Sequence, residues 1–167
     1  MDFNPLIPGM VDTVGALLPA LVALGLVAAG RVRSDLAATD QFWLFAFSLA
    51  FSALLCRVSV TDDGAALHIV PGATLFIGYL IWRGRYLSPG LAFALTYATC
   101  LPVDYFMAQA LVGASFDPQY IGGGGWRDGL IVLPLLNALA AAYGNWRVRG
   151  RGSAPARFPA ARMAAFH

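Results

Sequence analysis

The residues best suited to chemistry fall in one short segment, Thr96-Tyr97-Ala98-Thr99-Cys100-Leu101-Pro102-Val103-Asp104. Tyr97, Cys100 and Asp104 recur at helical spacing and share one face. Pro102 removes a backbone donor and disturbs the turn before it, so the stretch is predicted as a polar, kinked helix. It is embedded in apolar sequence, where an ionisable side chain costs about 2.5–3.5 kcal/mol on insertion scales. Two explanations for Asp104 stand open. It pairs with an arginine or accepts hydrogen bonds that fix helix packing, or it binds, relays protons or acts in catalysis.

Further polar groups are expected nearby. Arg57 and His68 flank the short loop from Ser59 to Leu67. Arg57 either reaches toward Asp104 or extends its head to water. His68 suits proton transfer if it meets Asp104, and is otherwise a hydrated interfacial residue. A later loop runs from Phe116 through Asp117 and the glycines Gly122 to Gly125 to Trp126, Arg127 and Asp128. Its glycines permit backbone conformations that let successive N–H groups cradle an anion, or they form a hinge with Trp126 as an interface anchor. It is not a phosphate-binding P-loop, because the Lys and Ser/Thr of that motif are missing. Asp104, Arg57, His68, Tyr97, Asp117, Arg127 and Asp128 together make the candidate polar pocket. There is no HExxH, GxSxG or clear paired-aspartate motif, and scattered aspartates with little histidine make a poor zinc set. No cofactor and no metal are expected.

These residues must be positioned by a membrane bundle. The chain has 167 residues, 59% of them hydrophobic and only 12% charged, with a mean hydropathy of +0.67. Soluble domains carry about 25% charged residues. The basic residues are all Arg and the acidic ones all Asp, which, with the abundant Ala and Gly, reads as the bias of a GC-rich bacterial genome. Cys56 and Cys100 form no CxxC pair, so they read as packing residues or as partners in a disulfide. Much of the net charge of +2 sits in the C-terminal tail. That placement suits a membrane surface and argues against nucleic acid as a partner.

The fold class read from the sequence is all-α, a polytopic membrane helix bundle of about five transmembrane helices with the N-terminus outside and the C-terminus cytoplasmic. The spans run from Met10 to Gly30, Phe42 to Val60, Leu67 to Trp82, Leu87 to Val112 and Leu130 to Trp146. The third and fifth are short against the roughly 20 residues needed to cross the hydrocarbon. Residues 1–149 form one bundle and 150–167 a mobile basic cytoplasmic tail. Arg31, Arg33, Arg83, Arg85, Arg147, Arg149 and the tail arginines follow odd-numbered spans and fall on one side, which the positive-inside rule makes cytoplasmic. Trp43, Trp82 and Trp146 mark the same side as an aromatic belt. No positive region precedes the first apolar run, so a cleaved signal peptide is not expected.

Small residues should mediate helix contacts in lipid, namely Ala16, Ala20, Gly25 and Ala29 in the first span and Ala138, Ala140, Ala141 and Gly144 in the fifth. Ser48, Ser52, Cys56 and Ser59 are expected along one face of the second, as a seam between helices or a solute-lining stripe. Asn137 falls near mid-membrane, and no convincing internal repeat is found.

Three functional classes follow. The first is a small inner-membrane protein with a periplasm-facing pocket that binds or passes a small polar or ionic solute, or a subunit of a membrane complex; few helices imply a homo-oligomer or a membrane-protein partner. The second is an intramembrane enzyme acting on a lipid-linked or peptide substrate, with Asp104 or His68 as general base and Arg57 or Arg127 holding an anionic group. The third is a holin-like phage or prophage lysis protein, suggested by size, multiple spans and the basic tail.

Overall fold

The computed structural model describes residues 13–61, 64–113 and 128–150. They are mostly helical. A wide π-type turn, Thr13–Leu17, leads into α1, Leu18–Ala28. Helix α2 spans Ala38–Leu54. Strands β1, Arg57–Thr61, and β2, Gly64–His68, form an antiparallel hairpin. Then come α3, Gly72–Trp82, α4, Pro89–Gly113, and α5, Gly129–Gly150. Two stretches, Pro89–Ala110 and Gly129–Val148, are long and apolar enough to cross a membrane, whereas Val14–Ala28 and Gly72–Trp82 are apolar but shorter.

The hairpin corrects the expected second and third spans. Helix α2 stops at Leu54, and Arg57 to Val60, assigned to the second span, are strand instead. Val58 and Val60 are β-branched and alternate with polar Arg57, Ser59 and Thr61, a pattern of period two. Asp62-Asp63-Gly64 supplies a turn signal between the strands. The register pairs Arg57 with His68 and Thr61 with Gly64. The third helix therefore starts at Gly72, not Leu67, and its 11 residues rise only about 16 Å. The expected serine stripe ends at Ser52, because Cys56 and Ser59 lie beyond the helix.

At the other end of the bundle two helices finish in the same way. Gly30 and Gly84 take positive φ, 62° and 70°, which glycine adopts without a Cβ penalty. Behind α1, Arg31 N–H donates to Leu26 O and Gly30 N–H to Val27 O; behind α3, Arg85 N–H donates to Leu80 O and Gly84 N–H to Ile81 O. Both are Schellman caps. The sequence around them repeats in outline, Gly30-Arg31-Val32-Arg33-Ser34 and Gly84-Arg85-Tyr86-Leu87-Ser88, a local repeat too short and divergent to stand out in the chain.

These two loops are stitched together. Ser34 bridges Leu87, Ser88 N–H donates to Arg33 O at 2.8 Å and Asp35 N–H to Tyr86 O at 3.3 Å. Ser88 is the centre of the joint. Its hydroxyl donates to Arg31 O at 2.7 Å and accepts from Arg33 N–H at 2.9 Å and Leu91 N–H at 3.1 Å. It thus caps α4, whose first residue is Pro89, a position where the absent N–H costs nothing. Asn145 Nδ2 donates to Leu87 O at 2.8 Å and brings in the end of α5.

The body between the two ends sets a few polar groups within an apolar core and leaves many large apolar side chains exposed. Ser48, Ser52, Thr96 and Thr99 are fully buried and Asn137 is 4% exposed, while Leu24 and Leu139 are 66% and 65% exposed. Leu21, Val27, Phe47, Leu75, Leu135 and Phe106 are also exposed. Exposed apolar side chains in this number exceed the scattered ones usual on a water-soluble fold.

Close backbone approach holds the helices together. Ser52 Oγ donates to Ser48 O and accepts the Gly72 N–H, each at 2.8 Å. A Cβ on Gly72 would strike the Ser48 carbonyl oxygen and lie 2.7 Å from Phe51 Cβ. Phe76 sits between Phe47 and Phe51 on the same α2–α3 contact. In the fifth helix Ala141 and Gly144 are buried, Ala138 is half-buried and Ala140 is exposed, and a Cβ on Gly144 would come within 2.6 Å of Ile81 Cγ2. In the first helix only half of the expected contact surface is used. Ala16 is buried and Ala20 is packed, but a Cβ on Gly25 would meet nothing within 4 Å and Ala29 is exposed.

Candidate functional site

A cavity of about 70 Å³ lies at the hairpin end, lined by Ile69, Cys100, Asp104, Asp128, Gly129, Leu130 and Leu133. Three elements build it. Helix α4 runs without a break through Pro102 and supplies Cys100 and Asp104 one turn apart. Asp104 lies about 22 Å along α4 from Pro89. Helix α5 begins beside it, and the residue after β2, Ile69, closes the third side.

Asp128 is the N-cap of α5. Its Oδ1 accepts the Leu130 N–H at 2.7 Å, and its carbonyl accepts from Ile131 and Val132. A carboxylate there satisfies a backbone donor and complements the positive end of the helix dipole. Further along α5, Pro134 has no N–H to donate to the Leu130 carbonyl, so a backbone acceptor is released on a residue that lines the cavity. Two aspartates and a cysteine therefore border one small space. Such a lining suits water, a proton or a small cation; the described residues hold no cluster of three or more His, Cys or Asp groups fit to ligate a metal.

The structure brings together some of the sequence candidates and separates others. Asp104 and Asp128 share the cavity. Tyr97 is buried one turn from Cys100, but its hydroxyl donates to Ala16 O at 2.7 Å and so braces the irregular first turn of the chain against α4. Arg57 and His68 face each other across the open end of the hairpin, both exposed, and neither lines the cavity. Asp117 and Arg127 lie outside the described residues, as do the glycine run and the chain beyond Gly150.

Cys100 lies within hydrogen-bonding reach of the Ser52 and Thr99 hydroxyls. The floor of the cavity thereby joins the seam in which Ser52 holds the start of α3. Deeper still is a polar centre that spacing does not reveal. Asn137 Nδ2 donates to Thr74 Oγ1 at 3.0 Å and to Thr96 Oγ1 at 2.8 Å, tying α5 to α3 and α4. Thr96 and Thr99 in turn donate to the Ala92 and Leu95 carbonyls. The only hint in the sequence is the presence of an amide where apolar residues are the rule.

Comparison of the chain with protein families, curated proteins and solved structures finds no match. Function rests on the geometry of the site.

Proposed function

We propose that this chain is a multi-pass protein of the bacterial inner membrane, with about five crossings, whose periplasm-facing cavity binds or passes a small cation or protons. The observation that carries the reading is the pairing of Asp104 and Asp128 on one cavity of about 70 Å³ inside an apolar-coated bundle. Two carboxylates on one cavity favour positive charge. The size favours an ion or a few waters, because pockets for organic ligands run to about 300–1,000 Å³.

The short third helix accords with this layout. Helix α3 rises only about 16 Å, so it crosses where the bilayer thins locally, and the two-stranded hairpin, whose outer edges keep unpaired backbone groups, belongs at the wet periplasmic boundary. The arginine-bearing ends of α1, α3 and α5 then face the cytoplasm, with exposed Trp43, Trp82 and Trp146 beside them. A bundle this small acts as a homo-oligomer or beside a membrane partner.

The test is cation and proton flux into proteoliposomes holding the full chain. Wild type should carry a flux that Asp104→Asn removes while the purified variant keeps its melting temperature. Equal flux from wild type and Asp104→Asn would sink the reading.

A further inference from the structure

The stitched loops at the arginine end form a surface with chemistry of its own. Arg31 and Arg33 come from the α1–α2 loop, Arg83 and Arg85 from the α3–α4 loop, and Arg147 from the last turns of α5. The Ser34–Leu87 bridge, the Ser88 hydroxyl and the Asn145–Leu87 bond hold these three segments in one platform. Gly90 fits the same joint, since a Cβ there would lie 2.7 Å from the Arg31 carbonyl oxygen. The guanidinium groups are therefore mounted on fixed backbone.

Positive charge on the platform is only partly neutralised. Asp35 meets Arg85 at 3.3 Å, and Arg85 also donates to the Asp35 carbonyl at 3.1 Å. Asp40 stands in the first turn of α2. Arg33 spends its Nε on the Gly30 carbonyl at 2.7 Å. Among the described residues Arg31, Arg83 and Arg147 make no ion pair. All three are exposed, and exposed Trp82 and Trp146 lie within one residue of Arg83 and Arg147 in the chain.

We propose that this platform binds the phosphate groups of anionic phospholipids. The inference rests on the membrane reading above but not on any transport activity. A guanidinium fork matches phosphate oxygens in a bidentate manner. The indoles beside it belong at headgroup depth, where an amphipathic ring is apolar on one side and wet on the other. An anionic phospholipid suits this level of the bundle, with its phosphate at the height of Arg83 and Arg147 and its glycerol and upper acyl chains at the height of the exposed indoles. Each arginine near an anionic surface changes lipid preference about five-fold.

The test uses the full-length protein in nanodiscs of zwitterionic phospholipid with a minority of phosphatidylglycerol. Bromine is placed on the acyl chains of one lipid class at a time, and tryptophan quenching is read. Brominated phosphatidylglycerol should quench more strongly than its mole fraction dictates, and raised salt should reduce the excess. Arg83→Gln with Arg147→Gln should lower the preference for phosphatidylglycerol by about five-fold at each of the two sites. Should that double variant not fold, the salt series on wild type decides the matter. Quenching in strict proportion to mole fraction, unchanged by salt, would overturn the proposal. Quenching by neither lipid class would instead overturn the membrane reading on which it rests.

Discussion

The two ends of this bundle are built on opposite plans. At the arginine end, backbone meets backbone: two Schellman-capped helices, a bridge between loops, and one serine with three hydrogen bonds leave no room for a side chain even at Gly90. At the hairpin end, the third helix stops short, a two-stranded ribbon takes its place, and a cavity opens between α4, α5 and Ile69. The polar groups at the first end are consumed in holding loops together. At the second, two aspartates, one of them also the N-cap of α5, line a cavity. The contrast separates a structural anchor from a candidate site within one small fold, and substitutions at the two ends should differ in kind as well as in size.

The seam between the ends should give the largest effect. Gly72→Val places a branched side chain against the Ser48 carbonyl oxygen and Phe51, and overpacking of this sort typically costs about 1–3 kcal/mol or more. The melting temperature of the detergent-solubilised full chain should fall by several degrees or the chain should fail to accumulate; an unchanged melting temperature would show that α2 and α3 do not approach so closely. Ser88→Ala comes next. It removes the cap of α4 and the tie to Arg31, a loss of about 1–2 kcal/mol, and amide exchange should rise at both joined loops while cation flux persists.

Asn137→Leu should cost somewhat less. Hydrogen bonds between membrane helices average about 0.6 kcal/mol and reach about 1.7, and two are lost here. A double-mutant cycle with Thr96→Val should show coupling, whereas additive effects would mean that the amide is not engaged. Arg85→Gln should matter least. The Arg85–Asp35 pair is 46% and 35% exposed, and pairs so hydrated contribute about 0–1 kcal/mol; a shift in melting temperature too small to measure is the expected result.

The sequence revealed the two plans unequally. Ser88-Pro89 is a helix start legible on sight, and Gly30 and Gly84 are legible stops before arginine. Asp104 drew notice because a carboxylate in apolar sequence needs a cause, and the structure gives it a cavity. The hairpin escaped because Val58, Val60 and Leu67 are as apolar as any span, and a hydropathy window cannot distinguish period two from period 3.6 over so few residues. Asp128 joins the candidate pocket in the sequence only through its place near the outer face, with a solvated loop position as the alternative. Its place beside Asp104 depends on where α5 starts against α4, a tertiary fact without a local signal. Asn137 is similar, since Thr74 and Thr96 lie on other helices and no spacing links the three.

The central claim is that lipid solvates the outer face while polar groups are kept within. It is tested most directly by spin labels at Leu24→Cys, Leu75→Cys and Leu139→Cys, in a chain whose native cysteines are replaced by alanine, reconstituted in bilayers. Collision rates with dissolved oxygen and with a water-soluble nickel chelate are then compared. High oxygen and negligible nickel access at all three positions is the result expected of a lipid-facing mantle. Strong nickel access at these same positions would place them in water and contradict the account.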